Sequence, residues 1–170
     1  IRDKVSIPLI IMGYFNPILQ YGVEKFCKKC NEIGIDGLII PDLPIDYYLE
    51  NYKSIFEQNK LYNMFLIAPQ TSDERIRKID SISKGFIYMV SSSSITDKKN
   101  SFSSEQINYF ERIEKMDLNT PRIIGFGVGN KETFNATVDY SKGAIIGSAF
   151  IKNLHENGID SIDSFIKSIR

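Results

Sequence analysis

The sequence has little of the residue types that several common sites require. Its 170 residues include one histidine, His155, which lies in the polar stretch NLHENG and is typical of a solvated position, so we predict no histidine-based triad. Cys27 and Cys30 are the only two cysteines, and they fall at helical spacing among apolar residues. No second cysteine pair is present to complete a zinc site. We therefore expect reduced core cysteines and no metal.

The sequence also lacks net charge and long apolar runs. Its 21 basic residues balance 21 acidic ones, so no basic field for nucleic acid and no polybasic membrane patch is implied. No run approaches the roughly 18 apolar residues of a membrane span, and the opening IRDKVSIP lacks the apolar region of a signal peptide. We expect a cytoplasmic protein with neither nucleic acid nor membrane as a partner.

Short apolar runs alternate with amphipathic helical patterns along the chain. The runs lack polar alternation, as in strands buried on both faces of a parallel sheet, and lie at residues 9–12, 37–40, 64–68, 85–90, 123–124 and 144–146. Helical patterns include residues 20–33, 45–59, 104–115, 131–140 and 159–169. Six β/α repeats fit an open doubly wound sheet or most of a (β/α)8 TIM barrel. Glycines and polar loops after many strands favour an incomplete barrel as one domain over residues 1–170.

Two glycine clusters follow the last two predicted strands. Gly125, Gly127 and Gly129 follow the first of these strands, while Gly147 and Ser148 follow the second and precede a possible helix start. Glycines let the backbone approach a ligand, and helix N-terminal N–H groups favour an anion. Ordinary turns are the alternative, and the spacing does not match the dinucleotide fingerprint. The pairing of the clusters predicts a phosphate site, as found after strands seven and eight of many barrels.

Six stretches resemble the alpha chain of tryptophan synthase, and together they cover nearly the whole chain in order: IMGYFNPILQYG, DGLIIPDLP, FLIAPQT, YMVSSSSIT, GFGV and GAIIGSAFIK. That family is a (β/α)8 barrel lyase of tryptophan biosynthesis. It splits indole-3-glycerol phosphate into indole and glyceraldehyde 3-phosphate by retro-aldol cleavage. The resemblance implies that the six repeats are barrel strands three to eight.

The resemblance also assigns residues to the substrate site. Gly127, Gly147 and Ser148 match the phosphate site. The indole pocket is matched by five residues on or just beyond predicted strands, where barrel core is the alternative: Tyr14, Ile39, Ile67, Tyr88 and Phe126. Thr96 lies in a long polar loop that is either a linker or a lid, and it matches the family's lid threonine. Ile95 and Asp97 stand where the family commonly has glycine.

The family's two catalytic carboxylates are not found in this sequence. They lie on the second barrel strand and in the loop after it, which would precede Ile1. We therefore assign no catalytic residue and expect this chain to be inactive alone. The resemblance implies no cofactor on the alpha chain and a heterotetramer with a beta chain that carries pyridoxal phosphate. Asn16 and the turn at residues 41–44 match the beta-chain interface, although both are also plausible strand terminators.

Two other functions are compatible with the residues themselves. One is another phosphate-binding TIM-barrel enzyme, such as an indole-glycerol-phosphate synthase or a phosphosugar isomerase, for which lysines on the strands would be expected. None of the six predicted strands contains a lysine. The other is a noncatalytic anion-binding domain.

Overall fold

The computed structural model describes residues 2–91 and 102–170. Contacts divide the chain into two compact units, Ile1–Phe65 with Ser81–Phe86, and Leu66–Asp80 with Ile87–Arg170. Each unit contains one sheet in which every pairing is parallel. The α/β class with parallel strands, predicted from the apolar runs, is therefore confirmed.

The first unit holds a three-stranded sheet and four helices. Its strands pair in chain order and are β1 (Ile10–Met12), β2 (Gly37–Ile39) and β3 (Tyr62–Met64). Its helices are α1 (Phe15–Tyr21), α2 (Val23–Glu32), α3 (Ile45–Asn51) and α4 (Lys53–Gln58), after a 3-10 turn at Arg2–Lys4. Cys27 and Cys30 are free thiols buried on α2, which confirms the prediction of reduced core cysteines.

Two predicted helices of this unit are each interrupted. The pattern over residues 20–33 is divided between α1 and α2 by Gly22, whose φ of 95° lies outside the helical region. The pattern over residues 45–59 is divided between α3 and α4 at Tyr52, with φ of −127°. The predictions of single helices were wrong because apolar periodicity continues across both breaks.

The second unit holds a four-stranded sheet whose strands again pair in chain order. They are β4 (Leu66–Ile67), β5 (Ile87–Val90), β6 (Arg122–Gly125) and β7 (Ala144–Ile145). The helices after these strands are α5 (Asp73–Ile82), α6 (Ser104–Lys115), α7 (Lys131–Val138), α8 (Ser148–Asn157) and α9 (Ile162–Ile169), with a 3-10 turn at Ile159–Ser161.

The third predicted strand, at residues 64–68, is split in the structure. Its first part belongs to β3 and its second to β4, and the two parts pair in different sheets. Phe65, between them, is buried and packs edge to face on Tyr48 with ring centroids 5.4 Å apart. The uninterrupted apolar run gives no sign of this break, so the prediction of one strand was wrong.

Side-chain hydrogen bonds fix the turn that leads into β6. Asp80 accepts hydrogen bonds from the backbone N–H groups of Thr120 at 2.7 Å and Asn119 at 3.0 Å. Partial burial raises the pKa of Asp80, but these hydrogen bonds outweigh it and the net pKa is below its usual value. The carboxylate therefore holds the turn in its ionised form.

No helix within residues 2–91 and 102–170 combines the length and apolar character needed to cross a membrane.

Candidate functional site

The turn after β6 has an unusual backbone conformation. Phe126 and Gly127 follow Gly125 with φ of 67° and 78°, both in the left-handed region. Phenylalanine rarely adopts this conformation, because its Cβ crowds the neighbouring carbonyl. Contacts from elsewhere in the unit must therefore hold the turn in place.

Ser91, immediately after β5, supplies those contacts. Its backbone N–H donates to the Gly125 carbonyl at 3.1 Å, and its hydroxyl donates to the Phe126 carbonyl. Gln106 on α6 donates from Nε2 to the Ser91 carbonyl at 3.1 Å. Ser91 is fully buried, so these hydrogen bonds are shielded from water.

Gly125 leaves room for the ring of Tyr88. A β-carbon at position 125 would lie 2.4 Å from both Oη and Cε2 of Tyr88, which is closer than such atoms approach. The Tyr88 and Phe126 rings stack with centroids 6.0 Å apart and planes inclined by 29°. Burial raises the pKa of Tyr88, so its hydroxyl stays protonated at neutral pH. Two residues predicted to line the indole pocket, Tyr88 buried in β5 and Phe126 directly after β6, thus stack on each other.

The N-terminus of α8 is open. Gly147 is its N-cap residue, no side chain caps the helix, and the first turn contains no acidic residue. Gly147 and Ser148 are exposed, and no atom would lie within 4 Å of a β-carbon at position 147. The first N–H groups of a helix carry a partial positive charge, so this end can accept an anion.

The two glycine clusters lie side by side. A β-carbon at Gly129 would lie 3.3 Å from Cβ of Ala149, in the first turn of α8. The loop that continues from Gly127 therefore runs against the helix end that begins at Ser148. The three residues predicted for the phosphate site come from these two adjoining segments.

The structure does not bring Ile67 to the aromatic pair. Ile67 is in register with Met89, whereas Tyr88 is in register with Leu66. Because register partners share one face of a sheet and successive residues alternate, Ile67 and Tyr88 occupy opposite faces. The role of Ile67 in the indole pocket stays a prediction. Thr96 lies outside the described residues.

Tyr14 and Ile39 lie in the first unit. Tyr14 is the N-cap residue of α1 and is 70% exposed, while Ile39 is the last residue of β2 and is buried. Asp42 follows β2 and accepts a hydrogen bond from the Phe15 N–H at 2.8 Å. This contact ties the start of α1, which carries Asn16, to the exposed turn after β2.

Sequence reasoning missed Ser91 and Gln106. Ser91 begins a run of four serines, and nothing in the sequence distinguishes the one that is buried. Gln106 does have a sequence signal, because Ser103 and Gln106 form a capping box at the start of α6. His155 is exposed on α8, and no cluster of three metal-ligating side chains occurs in the part of the chain that the structure describes.

In this chain, parallel strands alternate with helices, glycine turns follow the last two strands, and an open helix N-terminus lies beside these turns. Together with the matching solved structures, these features define the class of (β/α)8-barrel proteins. Phosphate sites in this class commonly lie at this position. The chain belongs to the tryptophan synthase alpha chain family, whose family model matches residues 1–168. Family membership makes it part of a lyase of tryptophan biosynthesis, as the sequence resemblance predicted.

Similar proteins agree with this assignment. The tryptophan synthase alpha chain of Flavobacterium psychrophilum is 68% identical over 169 residues, covering 99% of this chain and 67% of that protein. The alpha chain of Flavobacterium johnsoniae is 65% identical over 170 residues, covering 100% of this chain and 67% of that protein. The chain thus spans about two thirds of the length of the curated relatives that it matches.

Solved structures show the same fold. A mutant tryptophan synthase alpha-subunit from Pyrococcus furiosus has a TM-score of 0.85 at 26% identity, covering 99% of this chain and 68% of that one. The tryptophan synthase complex from Pyrococcus furiosus has a TM-score of 0.81 at 28% identity, covering 99% of this chain and 66% of the matched chain. The barrel fold class predicted from the sequence is confirmed by these neighbours.

Proposed function

We propose that this chain holds the substrate in a tryptophan synthase alpha subunit that cleaves indole-3-glycerol phosphate into indole and glyceraldehyde 3-phosphate. The main support for this proposal is the N-terminus of α8, which no side chain caps and which lies beside the glycine turn after β6. The phosphate binds there, to backbone N–H groups and the Ser148 hydroxyl, with Gly127 and Gly147 giving the backbone close access.

The aromatic pair suits the other half of this substrate. Tyr88 on β5 and Phe126 in the turn after β6 stack on each other next to the proposed phosphate-binding turn. A planar indole ring gains from offset or edge-on contacts with such rings. We keep Tyr14, Ile39 and Ile67 as further pocket residues and Thr96 as the lid threonine, on the strength of the family resemblance.

Cleavage requires proton-transfer groups that the family resemblance places outside residues 1–170. Cleavage of the carbon–carbon bond needs one acid to protonate the indole carbon and a second group to manage the ring nitrogen and hydroxyl protons. The family's two carboxylates would stand before residue 1, in a single barrel domain that residues 1–170 share. We therefore propose that these 170 residues release no indole alone, and that the alpha chain uses no cofactor.

Substitution of Gly147 tests the phosphate site without disturbing the fold. In the full-length chain, Gly147→Asp places a favoured N-cap side chain where no neighbour lies within 4 Å, so folding is retained. Its carboxylate repels the substrate phosphate, so we expect the KM to rise at least tenfold, equivalent to about 1.4 kcal/mol.

Two matched variants separate charge from shape. Gly147→Asn offers a similar cap without charge and should raise the KM by less than Gly147→Asp. Gly143→Asp adds the same carboxylate before β7, again with no neighbour within 4 Å, and should leave the KM unchanged. A folded Gly147→Asp protein with normal substrate affinity would remove this glycine from the site.

We also propose a beta-chain surface at Asn16 and the turn between Pro41 and Pro44, in a heterotetramer whose beta chain carries pyridoxal phosphate. These residues are exposed, apart from Leu43, and Asp42 bridges the turn to α1. A structure with the same fold comes from a tryptophan synthase complex. A cytoplasmic location follows from the same proposal.

A pair of charge substitutions tests this surface. Asn16 lies in the first turn of α1 and Pro44 is the N-cap residue of α3, so aspartate suits both positions. Asn16→Asp with Pro44→Asp should weaken copurification with the beta chain and reduce its stimulation of indole formation. Gln58→Glu with Asn135→Asp adds the same charge at exposed helical positions and serves as the control. Unchanged pairing in the first double variant would count against this surface.

A further inference from the structure

The first unit contains a cavity of about 90 Å³ that the proposed function does not use. Its lining includes three lysines, one glutamate and several uncharged polar side chains, among them Lys53, Lys60, Lys84, Glu57, Tyr48 and Asn63. These residues come from α3, α4, the turn between α4 and β3, β3 and the segment before β5. All of them belong to the first unit, whereas α8 and the turn after β6 belong to the second.

The cavity has an excess of positive charge. Glu57 pairs with Lys84 at 3.1 Å, which neutralises one of the three lysines. Lys53 and Lys60 form no ion pair among residues 2–91 and 102–170. Two cations beside a small cavity attract an anion, and their attraction grows where the walls exclude water.

Asn63 provides an unused hydrogen-bonding group in the cavity wall. The residue is only 5% exposed, and its Oδ1 is buried without a partner among the described residues. A buried amide without a partner destabilises the protein unless a ligand or water satisfies it. The same amide carries Nδ2, which can donate to an anion in the cavity.

Tyr48 supplies a further donor. Burial, reinforced by the nearby negative charge of Glu57 and by Cys27, raises the pKa of Tyr48 to about 12. The hydroxyl is therefore protonated at neutral pH and can donate to an oxyanion. Ammonium, hydroxyl and amide donors around a small space are the groups that bind phosphate oxygens.

We propose that this cavity binds a small oxyanion of the phosphate class, held by Lys53, Lys60, Tyr48 and Asn63. The volume suits the oxyanion itself, which is present both in inorganic phosphate and at the end of a phosphomonoester. The proposal uses none of the residues of the substrate phosphate site at α8. An experiment can therefore disprove either proposal without affecting the other.

The test uses the full-length chain with Gly147→Asp, which removes phosphate binding at α8. Calorimetric titration with inorganic phosphate should still show one site. Lys53→Gln with Lys60→Asn should raise the phosphate Kd at least tenfold, as expected for loss of charge-assisted hydrogen bonds. Asparagine is chosen because Lys60 has a φ of 57°, a conformation that asparagine tolerates well. Lys28→Gln with Lys167→Gln removes the same charge elsewhere and should leave the Kd unchanged.

Asn63→Leu gives a second, independent readout. Removing an unpaired buried amide should raise the melting temperature of the phosphate-free protein, while phosphate should bind more weakly and stabilise it less. A purely structural Asn63 would instead lower the melting temperature and leave the phosphate Kd unchanged.

The ligand source is resolved by a parallel titration with glycerol phosphate. Tighter binding of glycerol phosphate than of inorganic phosphate identifies a phosphomonoester ligand, and the reverse identifies free phosphate. Indole formation under saturating substrate should be normal in the lysine variants without Gly147→Asp, because neither lysine contacts the substrate. Absence of phosphate binding with Gly147→Asp, or equal affinity in the lysine variant and its control, would overturn the proposal.

Discussion

Gly129 and Ala149 lie so close that a β-carbon on the glycine would be 3.3 Å from that of the alanine. This contact sets the distance between the loop after β6 and the first turn of α8. The proposed phosphate site lies where these two segments adjoin, so its width depends on the absence of a side chain at position 129.

Gly129→Ala tests that dependence. The added methyl group must displace the loop or the helix by a few tenths of an ångström, so the backbone N–H groups no longer converge on one phosphate. We expect the KM of the full-length enzyme to rise about threefold to tenfold with kcat little changed, since binding rather than chemistry is affected. Gly143→Ala, where no atom lies within 4 Å of the new carbon, is the matched control. Equal KM values for the two variants would show that the spacing is not critical.

Gly125 and Tyr88 should be strongly coupled. In the full-length chain, Gly125→Ala places a carbon 2.4 Å from the buried Tyr88 ring and should destabilise the protein by about 1–3 kcal/mol, as overpacking does. Tyr88→Leu shortens the side chain, so the double variant should lose much less stability than the sum of the single variants. Denaturant melts of the four proteins measure this coupling. Additive losses would mean that the Tyr88 ring moves aside at little cost.

Asp80 should stabilise the protein in a pH-dependent way. Its pKa is lower in the folded protein than in the unfolded chain, so its contribution is present above the usual aspartate pKa and disappears as pH falls through the folded value. Asp80→Asn in the full-length chain should cost about 1 kcal/mol at pH 7, a figure reduced for partial exposure. The difference from wild type should begin to shrink only near the usual aspartate pKa of about 4, and it should vanish once pH falls below the lower folded value.

The matched control for Asp80 is Asp117→Asn, which changes an exposed aspartate in the same region. Asp117 has a φ of 49°, and asparagine tolerates this conformation, so little effect is expected. A loss of stability in Asp80→Asn that persisted unchanged at low pH would point to packing rather than to the ionised carboxylate.

The cysteine thiols should be unreactive in the folded full-length protein. Burial and the neighbouring Cys30 raise the pKa of Cys27 to about 12, and burial also raises the pKa of Cys30. The thiolate is the reactive form, so iodoacetamide at pH 8 should modify both residues no faster than the protein unfolds. Mass spectrometry over time in increasing urea measures this rate. Rapid modification without denaturant would reveal local opening of α2.

The 170 residues alone should fold poorly. In the first unit, β1 pairs only with β2 within the described residues, and Ile11 and Met12 on β1 are 38% and 52% exposed. An apolar groove of about 300 Å³ lies beside this edge, lined by side chains that include Ile18, Tyr21 and Phe26. Unpaired strand edges and exposed core surface promote aggregation. We expect an aggregated or molten chain that binds hydrophobic dyes and melts without cooperativity.

Complementation would show whether poor folding results from an incomplete hydrophobic core or from the amino-acid sequence of this chain itself. The part of the Flavobacterium psychrophilum relative that this chain does not cover, added as a separate polypeptide, should restore a cooperative melt. A monodisperse and sharply melting 170-residue chain would contradict this prediction and show that the fold is self-sufficient.

The sequence predicted the features that depend on local chemistry. Apolar runs without polar alternation located the parallel strands, and the cluster at Gly147 and Ser148 located the start of α8. The pairing of this cluster with the one after β6 was predictable because neighbouring parallel strands end at the same edge of a sheet. Cys27 and Cys30 were predictable from helical spacing.

Features that depend on contacts between distant residues were not predictable. The split after β3 involves Phe65 and Tyr48, which are 17 positions apart, and the apolar run through Phe65 gives no sign of it. Buried Ser91 donates a hydrogen bond to the carbonyl of Phe126, which is 35 positions away, and Ser91 begins a run of four serines. The unpaired amide of Asn63 likewise depends on the packing around β3, since an asparagine in a sequence shows neither its burial nor its lack of partners.

The position of the proposed phosphate site in the sequence has a consequence while the protein is being synthesised on the ribosome. Its parts, from Ser91 through the turn after β6 to Ala149, lie in the later half of the sequence. The ribosome therefore synthesises the whole first unit before the proposed phosphate site at α8 exists. Substrate can protect a finished chain from cellular proteases by mass action, but it gives no such protection to a nascent one.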